Sequence, residues 1–180
     1  TGIKNPVSLA RGVMEKSDHV FLAGDGAMRF AKDHGFTLED AAYFHDDLRY
    51  KQWLAIKDSD NFQLDHSDKK DSRFGTVGAV ALDYDGNIAA ATSTGGMTNK
   101  KWGRVGDSPM IGAGNYANNK TCAVSCTGSG EFFIRGVVAY DVSCLIEYKG
   151  MSLQDAADEV IQKRIVAIGG DGGLIAIDVH

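Results

Sequence analysis

A polar, acid-rich segment at residues 57–73 constrains the fold of this chain more than any other feature. Its sequence, KDSDNFQLDHSDKKDSR, contains almost no residue suited to an apolar core. Such a composition cannot bury enough apolar area to offset the entropy of ordering, so we expect a solvated surface loop. Loops of this length are uncommon inside compact domains and are often functional. The core must therefore be built from the sequence on either side.

The sequence before this segment predicts three helices and one short strand. Asn5-Pro6 is a helix start, and the apolar spacing after it predicts a helix that ends near Ser17-Asp18. The apolar run from His19 to Ala23 predicts a buried strand. Two further helices are predicted, at about residues 27–35 and 46–57.

Strand patterns begin directly after the polar segment. Residues 76–83 and 87–93 predict two strands of a hairpin joined by a Tyr-Asp-Gly turn. Farther on, the patterns predict a strand at 120–127, a long helix at 131–147, a helix capped by Ser152 and a last strand at 172–178. This order is typical of a layered α/β (α+β) protein with much antiparallel sheet, and it differs from a regular βαβ repeat.

Composition excludes several classes of function. The formal net charge of −5 argues against a nucleic-acid partner, because such proteins usually present a basic face. No apolar run approaches the roughly 18 residues that cross a bilayer, so no membrane partner is expected. The histidines never pair at metal-ligand spacing, so no metal site is predicted. Cys122 and Cys126 are expected to be small core residues rather than a disulfide, and Cys144 brings the cysteines to an odd number. Nothing in this set demands an oxidising compartment, and a cytoplasmic protein is expected.

Thr76, at the junction between the polar segment and the first strand, is a candidate nucleophile. A threonine hydroxyl needs a base within hydrogen-bond reach, and its own α-amino group, with a pKa of roughly 8, could serve near neutral pH. That amine exists only if the chain is cut between Gly75 and Thr76. Glycine at position 75 leaves this bond uncrowded, and the polar segment lets the new chain end move away.

The residues around Thr76 carry a resemblance to a known family. RFGTVGAVALDYDGNIAAATSTGGMTNKKWGRVGDSP, followed by VSCTGSGE, resembles the plant-type L-asparaginase/isoaspartyl aminopeptidase branch of the N-terminal-nucleophile hydrolases. The likeness continues more loosely through GGDGGLIAID and back to IKNPVSLAR. It implies a four-layer αββα sandwich, of which this chain holds a part, forming one structural domain. Residues 1–75 would be the C-terminal part of the α subunit, with a flexible linker at about 57–75, and residues 76–180 most of the β subunit.

The resemblance also implies roles for the threonines and for one glycine. Thr76 matches the nucleophile that forms an acyl-enzyme, and Thr94 matches a second active-site threonine whose hydroxyl supports it. Thr127 and Gly128 match the oxyanion hole. They precede a predicted helix near Gly130, where backbone N–H groups and the helix dipole favour negative charge.

The same resemblance implies a substrate pocket for a free amino-acid end. Arg104 and Asp107 match the pair that holds it, and Gly130 matches a further substrate-binding position. Arginine's planar fork fits an α-carboxylate, while the carboxylate of Asp107 can accept from an α-ammonium group. Such a pocket selects L-asparagine and β-aspartyl dipeptides.

The family's usual cation-binding loop and its first strand have no counterpart in this sequence, which resembles the middle of a precursor. No cofactor is required for the chemistry; a structural sodium is implied by the family, but its loop is absent here. The resemblance implies an (αβ)2 heterotetramer.

The main hypothesis is an autoprocessing isoaspartyl peptidase and L-asparaginase. One alternative is an inactive or truncated relative that binds a small molecule. A second is a glycosylasparaginase-type activity, although that branch typically has Asp where Gly75 stands.

Overall fold

Helices and strands are described for residues 2–59 and 75–180 in the computed structural model, so most of the predicted linker lies outside the described residues. The chain separates into two compact units, residues 1–55 and 56–180. This boundary differs from the predicted subunit boundary at Gly75, which stays a prediction.

The first unit is helical. Its elements are α1 (Pro6–Lys16), α2 (Gly24–Asp33), a 3₁₀ helix (Ala41–Phe44) and α3 (Asp47–Ile56), which ends at the unit boundary. Pro6 occupies the first turn of α1, where its missing N–H costs nothing and its fixed φ suits the helix. The three predicted helices are confirmed. The 3₁₀ helix was not predicted; the side chain of Asp40 caps it by accepting from two backbone N–H groups.

The strand predicted from His19 to Ala23 is wrong. This segment has no regular secondary structure, and Val20 and Phe21 are exposed. An apolar run becomes a strand only when a neighbouring strand pairs with its backbone groups. No described segment pairs with these residues, so the apolar run alone gave a wrong strand prediction.

Two antiparallel sheets form the centre of the second unit. The predicted hairpin is confirmed as β1 (Val77–Leu82) and β2 (Ile88–Ser93), which pair only with each other. The other sheet has the order β3-β4-β5 and consists of β3 (Asn115–Ala117), β4 (Cys122–Gly128) and β5 (Gly172–Asp178). β4 and β5 were predicted, whereas the short β3 was not. The hairpin packs face to face on this second sheet.

Helices cover the far side of the three-stranded sheet. They are α4 (Gly130–Gly136), α5 (Val138–Lys149), α6 (Leu153–Asp158) and a π-helical segment (Glu159–Ile165). The buried core lies between this layer and β4, whose Cys122, Val124 and Cys126 all point into it as alternate strand residues should. All three cysteines are free, in agreement with the expected absence of a bridge. Ser152 caps α6 as predicted, accepting from the backbone N–H of Asp155 at 3.1 Å.

The single helix predicted for residues 131–147 is wrong in one respect. The chain breaks at Val137, whose φ and ψ are both 47°, so α4 and α5 are separate helices. β-Branched residues rarely adopt this left-handed conformation, and the sequence carries no signal for it. The break gives α4 a direction of its own at the end of β4.

The described structure is thus a mixed helix-and-sheet protein of the α/β class, with two sheets and one helical layer in its second unit. Within residues 2–59 and 75–180, no helix is both long and apolar enough to span a membrane.

Candidate active site

Thr76 and Thr94, here called the threonine pair, lie at the open end of the hairpin. The register pairs Val77 with Ser93, so one step outward on each strand places Thr76 opposite Thr94. Thr76 is half-buried and Thr94 is exposed. The Oγ1 of Thr94 accepts a hydrogen bond from the backbone N–H of Gly96 at 3.1 Å, which fixes the start of the following loop.

The hairpin is aligned so that the threonine pair lies near the end of β4. The Oγ1 of Thr92 is 2.6 Å from the Oγ of Ser125, so the C-terminal part of β2 meets the middle of β4. At the other end of β2, the N–H of Ile88 donates to Oδ1 of Asn119, which precedes β4. β2 and β4 therefore run in the same direction. Since side chains alternate, Thr127 lies on the same face of β4 as Ser125, facing the hairpin.

The backbone N–H of Gly128 points away from β5. The N–H of Cys126 donates to the carbonyl of Gly114 at 2.8 Å, on the β3 side, and that of Ser129 donates to the carbonyl of Asp171 at 3.0 Å, on the β5 side. N–H groups alternate in direction along a strand, so Gly128 shares the direction of Cys126. The donor predicted for the oxyanion hole is therefore not used by the ladder with β5.

Gly130, the first residue of α4, lies against Arg104 and Asp107. A Cβ placed on Gly130 would be 2.8 Å from Oδ1 of Asp107 and 2.9 Å from Nη2 of Arg104. A side chain at position 130 would have to displace one of these polar groups, so glycine permits the close approach. Arg104 and Asp107, two of the predicted substrate-binding residues, thus both lie against a third, Gly130.

Arg104 forms a bidentate ion pair that was not predicted. Its Nε and Nη2 donate to the two carboxylate oxygens of Glu131 at 2.7 and 2.8 Å. The side chain of Arg104 is 19% exposed, and its hydrogen bond to Glu131 is the main cause of a lowered pKa at Glu131. The Nη1 edge points elsewhere, toward Gly106 and Gly96. That edge still carries N–H donors suited to an anion.

Asp107 is a buried acid with one carboxylate oxygen lacking a partner. The residue is 5% exposed, and no group within residues 2–59 and 75–180 donates a hydrogen bond to its Oδ2. Burial raises the pKa of Asp107, its own backbone N–H and the charge of Arg104 oppose that rise, and the charge of Glu131 adds to it. Since buried polar groups are normally hydrogen-bonded, an orphaned buried carboxylate oxygen indicates a missing cationic or donor partner.

The loop from Thr94 to Arg104 contains several left-handed residues. Asn99 and Trp102 have φ values of 63° and 52°, and Gly96 and Gly103 are also positive. Side-chain-bearing residues in this region are strained, and such strain concentrates at functional sites. The turns bring Arg104 back toward Gly96 and so connect the threonine pair with the substrate pocket.

The structure therefore groups the predicted residues in two neighbouring sets. Arg104 and Asp107 both lie against Gly130, while the threonine pair and Thr127 are placed at one end of the two sheets by register and alternation. Glu131 was missed as a partner of Arg104, because 27 residues separate them and one sequence carries no signal for that pairing. In the two described ranges, no three histidine, cysteine or acidic side chains cluster as metal ligands would.

Comparison with known proteins shows which family the chain resembles. A family profile described as "Asparaginase" matches residues 1–180. The chain is 55% identical over 180 residues to the isoaspartyl peptidase of Escherichia coli (strain K12), covering 98% of this chain and 56% of that protein. It is 52% identical over 179 residues to the isoaspartyl peptidase of Salmonella typhimurium, covering 98% of this chain and 57% of the relative.

A further relative is named for a different activity. The N(4)-(beta-N-acetylglucosaminyl)-L-asparaginase of Elizabethkingia miricola is 43% identical over 166 residues, covering 92% of this chain and 46% of the relative. The chain thus spans only about half the length of these curated relatives. The match to the profile along the whole chain, together with these identities, establishes that the chain belongs to the asparaginase family.

Proposed function

We propose that this chain is part of an autoprocessing threonine amidohydrolase that cleaves β-aspartyl (isoaspartyl) dipeptides and L-asparagine. The observation that carries the proposal is the cluster of Arg104 and Asp107 around Gly130. It offers an orphaned buried carboxylate oxygen for an ammonium group and a guanidinium edge for a carboxylate. These are the two charges of a free amino-acid end. The printed names of the two bacterial isoaspartyl peptidases support the same substrate class.

In the proposed reaction, Thr76 is the N-terminal residue of the β subunit. Its α-amine takes the proton of its own Oγ1 as that oxygen attacks the β-amide carbon of the substrate. The resulting oxyanion is stabilised by the hydroxyl of Thr127 and the N–H of Gly128. The protonated amine then gives its proton to the leaving nitrogen, and the carbon–nitrogen bond breaks. Ammonia or an amino acid departs and leaves an ester on Thr76.

Water completes the cycle. It attacks the ester carbon while the α-amine accepts its proton. The protonated amine then returns that proton to Oγ1 of Thr76 as the ester bond breaks, which releases aspartate and restores the enzyme. Thr94 lies opposite Thr76 in the register, where its hydroxyl can donate to the attacking oxygen. Binding of the zwitterionic end by Arg104 and Asp107 sets the distance from the charged end to the amide carbon, which selects β-linked over α-linked aspartyl compounds.

The remaining parts of the proposal follow the family. Cleavage between Gly75 and Thr76 divides the protein into α and β subunits, which form one αββα sandwich and assemble as (αβ)2. The hairpin, the three-stranded sheet and the helical layer supply two sheets and one helical layer of that sandwich. Free cysteines fit the cytoplasm as the compartment.

Hydrolysis assays with matched substrates test the function. Ammonia release from L-asparagine and leucine release from β-aspartyl-leucine should be seen with the protein and lost in Thr76→Ala, while Thr76→Ser retains the amine and a hydroxyl and should keep part of the activity. N-acetylated β-aspartyl-leucine lacks the ammonium group and should not be cleaved. Binding of L-aspartate without turnover of any β-aspartyl compound would instead support a non-enzymatic binding relative.

Glycosylasparaginase activity is the second candidate because of the relative with that printed name. It predicts release of the sugar amine from an asparagine carrying N-acetylglucosamine on its side chain. Turnover of this compound at a higher kcat/KM than β-aspartyl-leucine would favour the second candidate over the first.

A further inference from the structure

Two glycines face each other where β4 and β5 end, directly beside the proposed oxyanion hole. The register pairs Gly128 with Gly172. The N–H of Ser129 donates to Asp171, so the next pair inward is of the type without hydrogen bonds, in which the strands approach most closely. The ring of Phe133, which is fully buried, lies over both glycines.

The packing leaves no room for a methyl group at either glycine. A Cβ on Gly172 would overlap the carbonyl oxygen of Thr127 and lie 2.5 and 2.6 Å from two ring carbons of Phe133. A Cβ on Gly128 would lie 2.5 Å from the carbonyl oxygen of Asp171 and 2.7 Å from Cα of Gly172. Gly128 also has a φ of +150°, which side chains rarely allow.

The contact between Gly172 and the Thr127 carbonyl bears directly on the oxyanion donor. The Thr127 carbonyl and the Gly128 N–H are opposite ends of one peptide group, which is planar and trans. Any group that tilts the carbonyl away from β5 therefore rotates the N–H by the same angle. β5 lies on the carbonyl side of this peptide, and the Phe133 ring lies against Gly128 and Gly172, so packing on the β5 side sets the direction of the N–H.

We propose that Gly172 and Phe133 are positioning residues, which aim the Gly128 N–H at the oxyanion by clamping the Thr127–Gly128 peptide. This inference rests on the proposed function. Within the Gly-Gly-Asp-Gly-Gly sequence at residues 169–173, it assigns a role to Gly172. Oxyanion donors contribute most when they are held rigidly before the reaction, and a small rotation weakens the bond.

Gly173 provides a matched control. It is the next residue in the same strand, its φ lies outside the left-handed range, and a Cβ placed on it meets nothing within 4 Å. Gly172→Ala and Gly173→Ala thus add the same methyl group to adjacent positions of β5. Only the first presses on the oxyanion peptide.

The test compares kcat and KM of these variants with β-aspartyl-leucine, normalised to the amount of Thr76 present as a free N-terminus. Complete loss of one oxyanion donor lowers kcat by roughly 10²–10³-fold, so a misaimed donor in Gly172→Ala should lower kcat by roughly 10–100-fold. KM should change less than about threefold, because Arg104 and Asp107 are untouched. Gly173→Ala should stay within about twofold of wild type in both constants.

A second variant covers the case in which Gly172→Ala does not fold. Adding Phe133→Leu removes ring carbons from the space of the new methyl group, so the double variant should fold. It should still show reduced kcat, because the methyl group still meets the Thr127 carbonyl. Wild-type kcat in Gly172→Ala or in the double variant, or an equal loss in Gly173→Ala, overturns the inference while the proposed function stands. Absence of any turnover by the wild type overturns both.

Discussion

Replacing Asp107 by asparagine should weaken catalysis and strengthen the fold at the same time. Asp107 is 5% exposed with one unpartnered carboxylate oxygen, so in the free protein its charge is buried and only partly compensated by Arg104 and a backbone N–H. Asparagine has nearly the same shape and no charge. Removing an incompletely compensated buried charge should raise the free energy of unfolding by about 1–3 kcal/mol. For a chain of this size that corresponds to a rise in Tm of roughly 2–10 °C.

The loss in catalysis follows from the same oxygen. With substrate bound, the carboxylate accepts a charge-assisted hydrogen bond from the ammonium group, worth about 1.5–3 kcal/mol. At 1.4 kcal/mol per decade, Asp107→Asn should lower kcat/KM for L-asparagine by roughly 10–100-fold, mainly through KM. The assays are steady-state kinetics and thermal unfolding of the same preparations.

The pH dependence of stability independently checks the predicted sign of the change in unfolding free energy. Burial raises the pKa of Asp107 in the folded protein above its unfolded value of about 3.9. The folded state therefore favours the protonated acid, and wild-type stability increases as pH falls through the folded pKa. The stability advantage of Asp107→Asn should be largest near pH 7 and should vanish below about pH 4.

Asp83→Asn is the matched control. Asp83 is exposed in the hairpin turn, and its pKa is lowered by hydrogen bonds, first from the side chain of Asn87. The same substitution there should slightly lower Tm and leave kcat/KM unchanged. The reasoning about Asp107 is refuted if Asp107→Asn melts below wild type at pH 7, or if its kcat/KM stays within twofold of wild type.

Three further changes have expected outcomes. Gly130→Ala should raise KM at least tenfold, because its methyl group would lie 2.8 Å from Oδ1 of Asp107; steady-state kinetics with L-asparagine measures this, and an unchanged KM contradicts the pocket. Glu131→Gln removes the charge that orients Arg104, so KM should rise severalfold with a smaller change in kcat, and identical constants would show that the ion pair has no role. Val137→Gly relieves a left-handed β-branched residue and should raise the free energy of unfolding by about 0.5–1 kcal/mol in denaturant titration; a fall in stability would mean that the side chain's packing outweighs its backbone strain.

Local signals in the sequence were sufficient for much of the fold. The β1–β2 hairpin was predictable because its apolar runs and its Tyr84-Asp85-Gly86 turn are read within a few residues of each other. The cap at Ser152 depends only on the next three residues. The strand prediction for His19 to Ala23 was wrong because a strand depends on a partner elsewhere in the chain. The break at Val137 failed because packing, rather than propensity, sets that conformation.

The candidate site also combines features that local sequence predicts with features that depend on the fold. Thr76 was predicted as the nucleophile because the change from a polar segment to a strand is a local feature, and its proposed role rests on a long run of matching residues. The Arg104–Glu131 pair depends on the approach of segments 27 residues apart. The missing partner of Asp107 is a property of its surroundings and is invisible in sequence. The aiming of the Gly128 N–H by Gly172 likewise appears only once β4 and β5 are paired.

The central claim is that Thr76 works as the first residue of a chain. N-terminal sequencing of the purified, active protein tests this most directly. The account predicts that one of the sequences obtained begins TVGAVALD, that intact mass shows a break between Gly75 and Thr76, and that Thr76→Ala prevents both. A single uncut polypeptide that still hydrolyses β-aspartyl-leucine at the full rate would contradict it.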